Sequence, residues 1–213
     1  MDASESSDEL REVLLRGLEE IPLAPSEEQL DSLLRLARLL GRWSQRINLT
    51  GHREPSAIVR RLLLDAAALL NALPEFSTTA DLGSGAGFPG LPLAILRPKA
   101  PVVLVEARER RHHFQRAAIR ELGLPNVVAW RGRVEILEPE PSSLVLAQAL
   151  GPPRQVLDWM LPWAEIGGLL AIPGGEEPPD PGYHPGAADV RIAHYRVPLG
   201  GPARTLWMAR RAS

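Results

Sequence analysis

One stretch, Thr78-Thr79-Ala80-Asp81-Leu82-Gly83-Ser84-Gly85-Ala86-Gly87-Phe88-Pro89-Gly90, constrains this chain more than any other. A short β-type run ends in an acid and opens into a loop with glycine at every second position. Glycine tolerates positive φ and lets a backbone come close to a ligand, so such a loop commonly cradles a nucleotide where a helix begins. About 20 residues further on, Val102-Val103-Leu104-Val105 ends at Glu106, a second strand end able to offer a carboxylate to ribose hydroxyls. The pair predicts a nucleotide-binding α/β domain.

Two glycine registers compete for the ligand. Gly85-Ala86-Gly87-Phe88-Pro89-Gly90 fits the dinucleotide fingerprint GxGxxG. Gly83-Ser84-Gly85-Ala86-Gly87, directly behind Asp81, fits the loop of S-adenosylmethionine-dependent methyltransferases. Charge separates the two. Asp81 would repel a pyrophosphate, but would attract the ammonium and sulfonium of adenosylmethionine or organise them through water. The dinucleotide register also begins late for a tight strand-to-helix turn and contains Pro89. S-adenosyl-L-methionine is therefore the expected cofactor.

Leu10, Val13, Leu14 and Leu18 recur with a helical period, and Ser26 to Gln29 spell an N-cap with its capping-box partner for a helix running to about Trp43. Further helices are expected over 56–72, 91–96, 108–122 and 155–165. Strands are expected over 78–82, 102–105, 126–131, 143–149, 168–172, 190–197 and 205–210. The proline- and glycine-rich stretch 173–187 should be a surface loop, and the last two strands a hairpin around Leu199-Gly200-Gly201-Pro202. This alternation predicts a Rossmann-like α/β fold: a mostly parallel seven-stranded sheet with a C-terminal antiparallel hairpin, preceded by N-terminal helices. The expected division is a helical cap over 1–75 and a methyltransferase domain over 76–213.

Composition closes several routes. Among 213 residues there is no cysteine, which removes disulfides, thiolate metal sites and a cysteine nucleophile. Pyrimidine C5 methylation, which proceeds through a covalent thiolate adduct, goes with them. No set of histidines and carboxylates has metal-ligand spacing, so no metal is expected. The start Met1-Asp2-Ala3-Ser4-Glu5 lacks the basic and apolar regions of a leader, and no apolar run nears the roughly 20 residues of a bilayer span. A cytoplasmic protein without membrane contact is the expectation. Net charge is only −2, yet Lys99 is the only lysine and every other cationic side chain is an arginine, whose fork suits phosphates and base edges. Arg35, Arg38, Arg42 and Arg46 share one helix face, either a solvated surface or one that meets RNA. His112 and His113, set among arginines on the helix after Glu106, are expected to be solvated.

Three segments carry a likeness to a known family: Trp43-Ser44-Gln45-Arg46-Ile47-Asn48-Leu49-Thr50, the stretch from Asp81 to Ala94, and Arg133-Val134-Glu135. The chain resembles, over about 30–210, the bacterial glucose-inhibited-division protein B family, methyltransferases of guanine N7 in the 530 loop of 16S ribosomal RNA. The resemblance implies that Gly83, Ser84, Gly85, Gly87 and Phe88 lie against the cofactor, with Asp81 beneath them and Glu106 at the ribose. It places Arg133, Val134 and Glu135 near the adenine and Gln148 where cofactor and substrate meet. Asn48, Arg61 and Arg204 join Gln148 on the substrate side. The implied partner is 16S ribosomal RNA or the small ribosomal subunit, met by a monomer. No catalytic residue is assigned, because guanine N7 carries no proton to remove. Three positions depart from the family pattern. Leu62 follows Arg61 where the family has histidine, Gln148 stands for arginine, and Pro173 for lysine. Two further readings therefore stay open: a silent paralogue that keeps the cofactor fold or binds RNA, and a methyltransferase of a small molecule or protein, favoured by the net charge of −2.

Overall fold

A computed structural model describes residues 7–212 of the chain, so the start read above at residues 1–5 lies outside the described residues. Seven strands form one sheet: β1 (Thr79–Leu82), β2 (Val102–Glu106), β3 (Val127–Arg131), β4 (Ser142–Ala147), β5 (Ala164–Gly174), β6 (Ala187–Arg196) and β7 (Ala203–Arg211). Their spatial order is β3-β2-β1-β4-β5-β7-β6. The first five are parallel, and the terminal hairpin inserts β7 antiparallel between β5 and β6. From β1 the chain builds outward through β2 and β3, then returns to the other side of β1 with β4 and β5. That reversal leaves a crevice above the carboxyl ends of β1 and β4, the usual ligand position in such sheets.

The helices are α1 (Ser7–Leu18), α2 (Glu27–Ser44), α3 (Pro55–Ile58), α4 (Leu64–Ala72), α5 (Gly90–Leu96), α6 (Glu109–Leu122) and α7 (Pro153–Met160). A π-helical turn, Val59–Leu63, joins α3 to α4, and a 3-10 turn, Leu161–Trp163, follows α7. Side chains alternate across a strand, and the core follows that period of two. Leu104, Leu144, Leu146, Leu169 and Ala171 meet Leu91 of α5 and Phe114 of α6 on one face. Val105, Val145, Ala147, Leu170 and Ile172 meet α7 and Trp163 on the other. Leu10, Leu14, Leu33, Leu36, Leu40 and Leu64 belong to the first of these clusters, so the N-terminal helices share a core with the sheet.

Local signals hold the N-terminal helices in place. The Ser26 hydroxyl accepts from the Gln29 N–H, and the Gln29 side chain accepts from the Ser26 N–H at 2.8 Å, closing the expected capping box. The same Gln29 amide donates to the carbonyls of Ile95 at 2.9 Å and Leu96 at 3.2 Å. Those carbonyls end α5 without helical partners, so one side chain starts one helix and finishes another.

Several boundaries differ from the sequence reading; β6 begins at Ala187 rather than 190 and β7 at Ala203 rather than 205. The helix expected to reach 165 stops at Met160, because Pro162 has no N–H and its ring crowds the preceding turn. β5 consequently begins at Ala164 rather than 168. β4 ends at Ala147 rather than 149, since Ala149 turns to φ 52° and breaks the strand. No helix among the described residues is long and apolar enough to cross a membrane.

Candidate functional site

Gly83, Gly85 and Gly87 sit at φ 68°, 58° and 81°, the left-handed region. A side chain there costs roughly 1–2 kcal/mol per residue, so the alternation of glycine with Ser84 and Ala86 is a backbone requirement. The loop is clipped from beneath. Ser84 gives its N–H to the Val105 carbonyl at 3.0 Å and its hydroxyl to the same oxygen at 3.2 Å. Gln115 of α6, fully buried, donates to the Ser84 hydroxyl and to the Gly85 carbonyl, both at 2.8 Å.

Asp81 is 0% exposed. Its Oδ2 accepts from the Gly90 N–H at 2.9 Å, and its Oδ1 has no hydrogen-bond partner among the described residues. Burial raises its pKa from 3.8 to about 7; the Gly90 N–H opposes the rise and the charge of Glu106 adds to it. A methyl group on Gly90 would stand 2.7 Å from that carboxylate and 2.3 Å from the Leu104 side chain. The acid therefore fastens the start of α5 to β1 from below the loop.

A cavity of about 350 Å³ opens above the strand ends, lined by Gly83, Glu106, Arg108, Arg111, Arg133, Val134 and Glu135 together with Ala149, Leu150 and Trp159. Glu106 accepts from the Arg108 N–H at 2.7 Å and faces the Arg111 guanidinium at 3.8 Å. Arg133 faces Glu135 at 3.4 Å. Leu150 lies so close over Gly83 that a methyl group on the glycine would stand 2.3 Å from it. Of the expected cofactor residues, Gly83, Glu106, Arg133, Val134 and Glu135 meet at this cavity. Asp81, Ser84, Gly85, Gly87, Phe88 and Gln148 lie off its wall.

Gln148 and Phe88 instead join Arg61, Leu62, Asp65 and Pro89 around a depression of about 40 Å³ at the far end of the same loop. Arg204, expected on the substrate side, spends its guanidinium on Asp65, with Nε at 3.2 Å and Nη2 at 3.0 Å from Oδ2. The Tyr195 hydroxyl donates to the other Asp65 oxygen at 3.1 Å. Burial raises the Asp65 pKa, against the pull of Arg204. Asn48 is exposed after α2 and lines neither cavity.

Several site residues carried no signal strong enough to name them. Gln115 is a polar residue on the inward side of α6, beside Phe114 and Ala118, and that placement was the clue. Arg108 and Arg111 follow the Glu106 strand end, whereas nothing local points to Leu150 or Trp159. His112 corrects the expectation of solvation: it is buried, with Nε2 3.2 Å from the Ala129 carbonyl, because its helix position faces β3. His113 is exposed. The arginine stripe is partly engaged within the fold. Arg35 binds the Glu121 carbonyl, Arg38 donates to the Ser7 hydroxyl at 2.8 Å, and Arg42 pairs with the Glu121 carboxylate at 2.9 Å. No cluster of three or more His, Asp or Glu side chains that could hold a metal occurs among the described residues.

The family model described as rRNA small subunit methyltransferase G matches residues 29–180. Ribosomal RNA small subunit methyltransferase G of Hyphomonas neptunium is 40% identical over 151 residues, covering 71% of this chain and 72% of that protein. Its namesake from Leptothrix cholodnii is 33% identical over 217 residues, covering 95% and 96%. Among solved structures, an S-adenosylmethionine-dependent methyltransferase from Aquifex aeolicus superposes with a TM-score of 0.53 at 20% identity, over 73% of this chain and 93% of that one, a likeness of fold. By the extent of these matches, the chain belongs to the rRNA small subunit methyltransferase G family.

Proposed function

We propose that this methyltransferase transfers the methyl group of S-adenosylmethionine to guanine N7 in the 530 loop of 16S ribosomal RNA. The observation that carries the reading is the pairing of two sites across one loop. The cavity with Glu106 lies at the Gly83 end, and the depression with Arg61 and Gln148 lies at the Phe88–Pro89 end. The segment Gln148-Ala149-Leu150 borders both, so a donor and an acceptor held in the two sites would meet along it.

The residues present fit the cofactor. Left-handed glycines leave three positions of the loop without a side chain, and the cavity volume falls in the roughly 300–1,000 Å³ range of small-molecule sites. Adenosylmethionine supplies there a methyl group on a positively charged sulfur. Glu106 is assigned to the ribose hydroxyls, and Val134, Leu150 and Trp159 give the adenine an apolar seat. Asp81 sets a negative charge beneath the loop, and a nearby cation favours its ionised form.

Guanine N7 offers a lone pair, so the acceptor side needs alignment rather than a base. Asp65 is the one acid lining the depression, and Arg204 and Tyr195 occupy both of its oxygens. Near-attack alignment alone supplies up to roughly 7–11 kcal/mol in ideal cases. An altered RNA acceptor is the second reading, favoured by an amide, Gln148, on the acceptor wall. Purified protein is to be incubated with small ribosomal subunits and labelled methyl donor, and the RNA mapped by mass spectrometry. One 7-methylguanine in the 530 loop is the expected product. Methylation elsewhere supports the second reading, and no transfer overturns both.

A further inference from the structure

The segment Trp43-Ser44-Gln45-Arg46-Ile47-Asn48, prominent in the sequence, takes no part in either cavity of the transfer site. With Leu39, Arg42 and Glu121, its residues Trp43, Gln45, Arg46 and Ile47 line a separate groove of about 590 Å³ between the end of α2 and the end of α6. From Arg111, at the cofactor cavity, α6 runs ten residues to Glu121, a rise of about 15 Å. We propose that this groove holds a single-stranded stretch of RNA flanking the methylated nucleotide, with a base against Trp43 and a backbone phosphate against Arg46. The proposal rests on the ribosomal RNA reading of the transfer site.

Three observations select this occupant. Trp43 is half-buried and held edge-on against Phe114, ring centroids 5.6 Å apart at 71°, so its ring is fixed before a ligand arrives. Every base has a π face, and a fixed aromatic ring beside arginines is how single strands are gripped without sequence readout. The groove is also cationic. Its one lining acid, Glu121, already pairs with Arg42, while Arg46 is exposed, and Arg116 and Arg120 are exposed on α6 toward the same end. A stiff duplex buries its base faces, so the combination of ring and forks favours an unpaired strand. Gln45, exposed between the two, adds an amide able to donate to or accept from a base edge.

The test compares the full-length protein with Arg46→Ala, Trp43→Leu and Trp43→Phe. The probe is a fluorescein-labelled single-stranded RNA of about 12 nucleotides, within the site sizes known for single-strand binders, set against a duplex of equal length. Arg46→Ala should weaken single-strand binding severalfold and flatten the slope of log K on log salt by about 0.7. Trp43→Leu should weaken it about tenfold, and Trp43→Phe should restore most of that loss because it keeps a stacking face. Affinity for S-adenosylhomocysteine and the melting temperature are measured on each variant. A Trp43→Leu loss matched by a fall in both would mark Trp43 as structural only, and the decision then rests on Arg46→Ala. Unchanged single-strand affinity and salt slope in Arg46→Ala overturn the proposal. So does a loss seen with whole ribosomal subunits but not with naked RNA, which would assign the groove to a ribosomal protein. If the wild type methylates no ribosomal RNA yet binds the strand through Trp43, the function fails and the groove stands. If it methylates normally and Arg46→Ala leaves the KM for RNA unchanged, the groove fails and the function stands.

Discussion

The cavity beside Glu106 and the depression beside Gln148 sit at opposite ends of one loop, but they are held together by different means. Around the cavity, backbone does much of the positioning: the left-handed Gly83 and a Glu106 carboxylate bound by the Arg108 N–H. Around the depression, long side chains do it, with Arg204 and Tyr195 of the hairpin reaching Asp65 of α4. A backbone-built site tolerates few substitutions at its glycines. A side-chain-built site can change its acceptor by exchanging residues such as Leu62 and Gln148 while the sheet beneath is untouched.

The sharpest way to break this contrast is Gly83→Val. The new side chain would take a left-handed φ and collide with Leu150, so affinity for S-adenosylhomocysteine should fall at least about a hundredfold by calorimetry, some 3 kcal/mol. Wild-type affinity in that variant would mean that the loop does not bear on the cavity. Arg204→Ala tests the other side. It strands a buried carboxylate, so urea unfolding should show a loss of about 3 kcal/mol, with cofactor affinity unchanged. A loss of cofactor affinity as large as the loss of stability would erase the distinction between the two regions.

Asp81→Asn probes the acid beneath the glycine loop. The folded pKa of about 7 lies above the ordinary 3.8, so the folded state holds the extra proton between those values. The stability this contributes is full below about pH 3.8 and is lost as pH rises through about 7. Wild type should therefore lose more stability than the Asn variant between pH 5 and pH 8, and identical pH profiles would remove Asp81 as the titrating group. The smallest effect belongs to Ser26→Ala. Loss of the cap should cost about 1 kcal/mol and leave cofactor affinity alone, because the capping box serves α2 and α5 rather than either cavity.

The sequence by itself determined the features written in consecutive residues. The alternating glycines, the capping box at Ser26 and Gln29, the apolar strand runs and the terminal hairpin are each specified within about two dozen positions, because φ, caps and turns depend on near neighbours. Glu106 was legible because a strand end is a local event. Tertiary structure alone decided the rest. It set Leu150 over Gly83, turned Gln115 toward the loop and buried His112 against β3. It also joined Arg204 to Asp65 across 139 positions of chain. Such contacts arise from which face of one element meets which face of another. Strand order and helix rotation fix that choice only when the whole core closes, so no window of sequence contains it.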